Sequence, residues 1–380
     1  MINSRQQLSM ARRVVVKVGS SLLTDHQQGI CRPMVDSLAR RIAALHARGV
    51  QVCLVSSGAV AVGCVHLGWI GKRLTVHEKQ AAAAVGQPWL MQVYREAFAV
   101  YDIQVAQMLL TKDDLRHRRR YLNASNTSET LFSAGIVPIV NENDTVMVEE
   151  IKFGDNDTLS ALVSLVIDAE LLVMMTDVDG FYDKNPVNNA DARRFSVVKQ
   201  ITDTMQGLAE GAGSSVGTGG MQSKLNAAKL ATRGGVPASI IHGKDPQAFE
   251  RLFAGEDVGT VFLCGENRQT RRHQWIADIL KPAGQITMDA GAEQAILNDG
   301  CSLLPIGMTE LEGVFDKGEC VELVGAAGMV VARGLVNYSS DELRRLIGVK
   351  SDAIESILGY VDFNSVIHRD NLVLTEPEKK

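Results

Sequence analysis

The 380-residue sequence contains no run of about 18 apolar residues, and its start, Met1-Ile2-Asn3-Ser4-Arg5-Gln6-Gln7, is polar with no apolar core behind it. A membrane-spanning helix and a secretory leader are therefore not expected, and a soluble chain in the cytoplasm is. Cysteine patterning is also missing. Cys31, Cys53, Cys64, Cys264, Cys301 and Cys320 form no CxxC and no metal-type spacing with histidine. Several lie in apolar runs, as in Val52-Cys53-Leu54, where a reduced cysteine behaves as a small hydrophobe. A surplus of positive charge is absent too: 39 Lys+Arg stand against 44 Asp+Glu, a net of −5. No global field draws such a chain to nucleic acid or an anionic membrane. No internal repeat is visible.

What is present is an ordinary globular composition, 46% hydrophobic and 22% charged. That excludes a disordered chain, which lacks the apolar area to offset its ordering entropy. The length suits two or three domains of roughly 100–200 residues. Glycine is the mild excess: its 34 occurrences amount to about 9%, against a usual ~7%, and they cluster.

The first two-thirds alternate apolar runs with helical patterns. Strands are expected at Arg13–Val18, Val50–Val55, Ile103–Leu110, Ile136–Val140, Leu171–Met175, Ala238–Ile241 and Thr260–Leu263. A helix is expected over Pro33–Arg48, with Val35, Leu38, Ile42 and Leu45 at 3–4 spacing and Gly49 at its cap. Runs without polar alternation are buried on both faces, so the reading is a three-layer α/β sandwich with a mostly parallel sheet. In such sheets ligands sit at the carboxyl ends of the strands. Past the polar, basic stretch that follows Gly265 come short strands, glycine turns at Gly300, Gly307, Gly313 and Gly318, and a helix near Ser340–Ile347. The division is residues 1–265 for a catalytic domain, 266–281 for a linker, 282–372 for a small mainly-β domain and 373–380 for a frayed tail.

Three small-residue turns stand out in the first part. They are Lys17-Val18-Gly19-Ser20-Ser21, Ser56-Ser57-Gly58-Ala59, and Gly217-Thr218-Gly219-Gly220-Met221-Gln222-Ser223-Lys224. Small residues let backbone N–H groups approach a phosphate, and Lys17 and Lys224 add full charges. One such turn is weak; three in one α/β domain favour a nucleotide-phosphate site. There is no Gly-x-x-x-x-Gly-Lys-Ser/Thr, which excludes a P-loop. The stretch Gly211–Gly217 is one residue off a dinucleotide fingerprint and follows no clear strand. His368-Arg369-Asp370 lacks the downstream partners of a protein kinase, and Asp177-Val178-Asp179-Gly180 is too short for a calcium loop.

Asn141-Glu142-Asn143-Asp144 follows the strand expected to end at Val140, and Gly154-Asp155-Asn156-Asp157 precedes a helix at Thr158, where Asp and Asn could serve only as caps. Thr176-Asp177 ends another strand. Lysines, small residues, carboxylates and amides at several strand ends suit phosphoryl transfer to a small polar acceptor.

Together Val16–Ser21, Val55–Ala59, Asn141–Asp144, Lys152–Asp157 and Gly217–Met221 resemble the amino-acid kinase family, in the branch that phosphorylates L-glutamate. The segments Gly300–Gly307, Gly313–Gly318 and Ala332–Ser340 are similar to a PUA domain. The resemblance spans nearly the whole chain, with Ser20 where Thr is common and Phe181 where Leu is common. It implies transfer of the ATP γ-phosphoryl group to the side-chain carboxylate of glutamate, the first step of proline synthesis. It further implies catalytic Lys17, Lys224 and Asp157, and ATP contacts from Lys17, Gly19, Ser20, Thr176, Asp177, Thr218, Gly219, Gly220, Met221 and Lys224. Ser57, Gly58, Asp144 and Asn156 would hold glutamate. Mg2+ would bind through the ATP phosphates with no assigned protein ligand. Proline as feedback inhibitor and a homodimer or homotetramer are also implied.

The chemistry agrees with cations as the catalytic groups. A glutamate carboxylate, with a pKa of ~4.3, is already ionised at pH 7 and needs no base. The difficulty is bringing an anion to a polyanion and stabilising a loose transition state. Alternatives are a family member acting on acetylglutamate, aspartate, carbamate or UMP, disfavoured by the Asn-rich segments and the PUA-like tail, and an RNA-binding protein. RNA binding is disfavoured by net acidity and by the lack of aromatics within Arg116–Arg120, which reads as a solvated face.

Overall fold

The computed structural model describes residues 2–25, 29–146, 156–186, 188–210, 220–264 and 280–375. Gly154, Asp155, Thr218, Gly219, most of the expected linker (266–279) and the end of the tail (376–380) lie outside the described residues.

Apolar runs become strands within two residues of the expected ends. They are β1 (Arg13–Val18), β4 (Gln51–Val55), β5 (Val105–Leu110), β6 (Val137–Glu142), β7 (Leu171–Thr176), β9 (Ala238–His242) and β10 (Thr260–Phe262). Three further strands have two residues each, too few to show as a run: β2 (Thr24–Asp25), β3 (Gly29–Ile30) and β8 (Val197–Val198). The eight-stranded sheet has the order β5-β6-β4-β1-β7-β9-β10-β8. From β5 to β9 all pairings are parallel; β10 runs antiparallel to β9. This is the expected mostly parallel sheet with helices between its strands. One strand departs from the expectation of burial on both faces. β5 is only half-buried, because it lies at the sheet edge where nothing pairs with its outer side among the described residues.

Alternation along β1 decides what each face does. Val14, Val16 and Val18 join one core cluster, together with Leu38 and Ile42 of the Arg32–His46 helix and Leu90 and Tyr94 of the Val76–Ala99 helix. Successive side chains of a strand point to opposite faces, so Lys17 points to the other face. That face is covered by the Asn156–Val166 and Met221–Arg233 helices, each buried along most of its apolar length.

The Val76–Ala99 helix starts at a capping box, in which Thr75 accepts from the Glu78 N–H and Glu78 accepts from the Thr75 N–H. It crosses the Ala59–His66 helix at very short range. A Cβ on Gly63 would lie 1.7 Å from the Ala82 carbonyl oxygen, and one on Gly86 would lie 1.9 Å from that of Ala59. Only glycine fits at either place.

The chain divides into two compact units, Met1–Asp114 with Asn123–Arg268, and Leu115–Leu122 with Gln269–Lys380. The second is the expected small, mainly-β unit. Its five strands are β11 (Gly284–Met288), β12 (Met308–Gly313), β13 (Cys320–Val324), β14 (Val330–Leu335) and β15 (Leu372–Leu374), in the order β12-β11-β13-β14-β15. The Ser340–Leu346 helix opens on a capping box from Ser339 and Glu342. It closes a core of Ile286, Val321, Leu323, Tyr338 and Leu343. Among the described residues, no helix is long and apolar enough to cross a membrane.

Candidate active site

Parallel pairing brings the carboxyl ends of β6, β4, β1 and β7 side by side, and from the neighbouring strands β1 and β7 the chain departs in opposite directions, toward β4 and toward the β8 edge. Those of the expected residues that are described lie along this edge.

Lys17 is next to last in β1 and 5% exposed, so it is not the solvated strand-end lysine that its position would also allow. Its Nζ lies 2.6 Å from Asp157 Oδ1. Asp157 sits in the first turn of the Asn156–Val166 helix, where a carboxylate is favoured by the helix dipole. Its Oδ2 accepts from Ser223 Oγ at 2.6 Å and from Lys224 Nζ at 3.3 Å. Both come from the first turn of the Met221–Arg233 helix, whose N-cap is Gly220. Asp157 is 1% exposed and Lys224 6%. Burial by itself would push the Asp157 carboxyl up, but the Lys17 and Lys224 ammonium groups overcome it and hold the carboxyl at about 2. Burial likewise lowers the Lys224 ammonium, against the raising influence of Asp157 and, more weakly, Asp177. Among the described residues, this buried cluster gathers two ammonium groups on one carboxylate, which suits the binding of an anion.

The second group is neutral. Asn156 Nδ2 donates to the Ser56 carbonyl at 3.0 Å, to Ser57 Oγ at 2.9 Å and to Asn141 Oδ1 at 3.2 Å. Ser57 and Asn156 are thus engaged with each other and do not act as simple caps. Gly58, not Ser57, is the N-cap of the Ala59–His66 helix; its φ of 98° suits glycine, and a Cβ there would meet the Thr24 methyl at 2.7 Å. The sheet extends further than expected here, so Asn141 and Glu142 belong to β6. Beneath, the Ser56 and Tyr94 hydroxyls are 3.0 Å apart, with Tyr94 fully buried.

The remaining expected residues are more peripheral. Thr176 closes β7, and its hydroxyl donates to Asp177 Oδ1 at 2.9 Å. Asp144 is half-buried in the turn after β6, and burial pushes its carboxyl up to about 6. Gly19 needs a correction. Its N–H was expected to face phosphate but donates to the Met175 carbonyl at 3.3 Å, holding β1 against β7. What Gly19 does provide is space, since a Cβ there would lie 3.9 Å from Lys17 Nζ. Ser20 opens the short Ser20–Leu23 helix, and Met221 opens the helix that carries Lys224. First-turn N–H groups have no intrahelical acceptor, so both can donate outward. Arg119 and Arg120 of the basic run are exposed.

Sequence reasoning missed Ser223, Gln87 and the site role of Asn141. Ser223 lay inside a quoted motif, and its place next to Lys224 was the available signal. Gln87 lies in a helix interior and carried none.

The chain matches the amino acid kinase family over residues 12–242 and the PUA domain over residues 284–358. It is 51% identical over 367 residues to a protein of Geobacter sulfurreducens named glutamate 5-kinase, covering 97% of this chain and 98% of that one. Proteins of the same name from Trichlorobacter lovleyi and Pelobacter propionicus are 48% and 49% identical over 370 residues, with 97% of this chain covered and 98% and 99% of theirs.

Proposed function

Because the chain belongs to the amino acid kinase family, among the glutamate 5-kinases, we infer that it transfers the γ-phosphoryl group of ATP to the side-chain carboxylate of L-glutamate. The product is L-glutamyl 5-phosphate, formed in the first step of proline biosynthesis. The observation that carries the reading is the Lys17–Asp157–Lys224 cluster, set beside the amide group of Asn156 and Ser57 at one sheet edge.

Lys17 and Lys224 take the transferring and β-phosphates, and their charge offsets the repulsion between glutamate and ATP. Asp157 acts through them by fixing both ammonium groups, while Ser223 holds the carboxylate in place. The first-turn N–H groups of Ser20 and Met221 face the nucleotide side, together with Thr176, Asp177 and Gly220; contacts from Thr218 and Gly219 rest on the family resemblance. Ser57, Gly58, Asp144 and Asn156 hold the amino and α-carboxylate groups of glutamate. The deeply buried carboxylate of Asp157 is already shared by two ammonium groups and a hydroxyl, which suits a metal held by the nucleotide rather than by this side chain. Mg2+ carried on the ATP phosphates would add further charge neutralisation there. Inhibition by proline, a homodimer or homotetramer and a cytoplasmic location rest on the family resemblance alone.

Purified protein given ATP, Mg2+, L-glutamate and hydroxylamine is expected to yield γ-glutamyl hydroxamate. No glutamate-dependent product, with turnover on another acceptor, would overturn the assignment.

A further inference from the structure

The Val76–Ala99 helix delivers to the site a polar group that no motif marks. Gln87 is buried, and its Oε1 accepts from Asn141 Nδ2 at 2.8 Å. Asn141 Oδ1 in turn accepts from Asn156 Nδ2 at 3.2 Å. A side-chain amide has a donor end and an acceptor end, so a chain of amides has a direction. At its far end Asn156 Nδ2 also meets the Ser56 carbonyl, which can only accept. With Nδ2 turned toward these partners, Asn156 Oδ1 is buried and has no hydrogen-bond partner among the described residues. Leaving a buried acceptor unpaired is costly, and a donor on a ligand would recover that cost. L-Glutamate offers one such donor group. Both its carboxylates are ionised at pH 7 and only accept, so the α-ammonium group is left.

We propose that Gln87 is a positioning residue that, by accepting from Asn141 Nδ2, holds Asn141 Oδ1 against Asn156 Nδ2, so that Asn156 presents its Oδ1 as an acceptor to the α-ammonium group of the substrate. The proposal rests on L-glutamate being the acceptor. Without Gln87 Oε1, the buried Asn141 Nδ2 loses its acceptor and Asn141 is no longer held in place, so the Asn156 amide keeps only the Ser56 carbonyl and Ser57 Oγ and shifts. The penalty falls on a substrate that carries an ammonium group. It spares glutarate, which keeps both carboxylates and lacks the amine.

The test measures kcat and KM of the full chain for L-glutamate and glutarate by ADP release, with glutarate read as a competitive inhibitor if it turns over too slowly. Gln87→Met is expected to raise KM for L-glutamate about tenfold, the equivalent of one lost hydrogen bond, with KM for ATP and the constant for glutarate within about twofold. The preference for glutamate over glutarate shrinks accordingly. Gln87→Glu keeps an oxygen acceptor and is expected to restore KM and preference to within about threefold. Unchanged preference in Gln87→Met, or equal weakening of both acceptors, overturns the proposal. So does a Gln87→Glu variant without preference, and that result decides the matter alone if the methionine variant does not fold. Wild-type protein with no glutamate-dependent turnover overturns the acceptor assignment and takes this proposal with it; a failure confined to the Gln87 variants leaves the assignment standing.

Discussion

The two halves of the site meet along the carboxyl edge of one sheet and are built from different chemistry. On the Lys17 face, three charged side chains are buried against one another. On the opposite face, where Val137 and Ile139 of β6 join the cluster of Leu90 and Tyr94, Asn141 meets Gln87 through neutral amides. Asn156 and Asp157, adjacent in sequence at a helix start, belong one to each half. In the proposed reaction, full charges stand where charge is redistributed, and they are costly to bury without partners. In the same proposal, neutral amides stand where a substrate is told from its near relatives, since each has a donor and an acceptor that must be matched.

That division predicts that variants separate by the kinetic constant they disturb. The largest effect is expected from Lys224→Ala, which removes a cation from the transferring group. Turnover should fall by about 10²–10³-fold, roughly 3–4 kcal/mol, with circular dichroism unchanged. Near-wild-type kcat would break the comparison at its charged half. Next is Asp157→Asn, which leaves two buried ammonium groups facing a neutral amide and should lower stability to urea by ~3 kcal/mol. The same carboxylate predicts an acid effect. Its folded pKa of about 2 lies below the usual ~3.9, so its contribution is complete above pH ~4 and is lost as pH falls toward 2. Asp157→Asn should lack that component of acid unfolding.

On the amino-acid side the effects are smaller and should appear in KM. Asp144, pushed up to about 6, must be ionised to pair with an ammonium group. KM for L-glutamate should therefore climb as pH drops through 6, by up to about tenfold per unit, and Asp144→Asn should flatten the profile. Ser57→Ala, losing one neutral acceptor of Asn156, should raise the same KM only a few-fold, for ~1 kcal/mol. A drop in kcat with KM unmoved in either variant would erase the distinction between the halves.

The charged half was largely legible in the sequence, because a lysine among small residues at the end of an apolar run is a rare local pattern. Lys17 and Lys224 could be placed before any geometry was known, and Asp157 by its motif. The neutral half was only partly legible. Asn156 and Ser57 lie in recognisable turns, but Asn141 was expected beyond the strand and lies within it. Gln87 is 54 residues away from Asn141 and looks like any polar residue on a helix. Its role exists only once the sheet brings β6 under that helix. The fold followed the same rule. Strands buried on both faces announce themselves as continuous apolar runs, whereas β8 has too few residues to do so, and the half-exposure of β5 depends on its place in the strand order.

The glycine-to-glycine crossing at Gly63 and Gly86 puts a limit on how this enzyme could be re-engineered. Gln87 is the next residue after the point where one helix backbone touches another, so its distance from β6 is set by a steric stop with no slack. Even a methyl group at position 63 or 86 would force the helices apart and carry the glutamine with them. A programme to change the acceptor would do better to vary Asn141 and Asn156 against a fixed crossing than to adjust the crossing. A library that randomised residue 63 or 86 would lose register before it gained a new specificity.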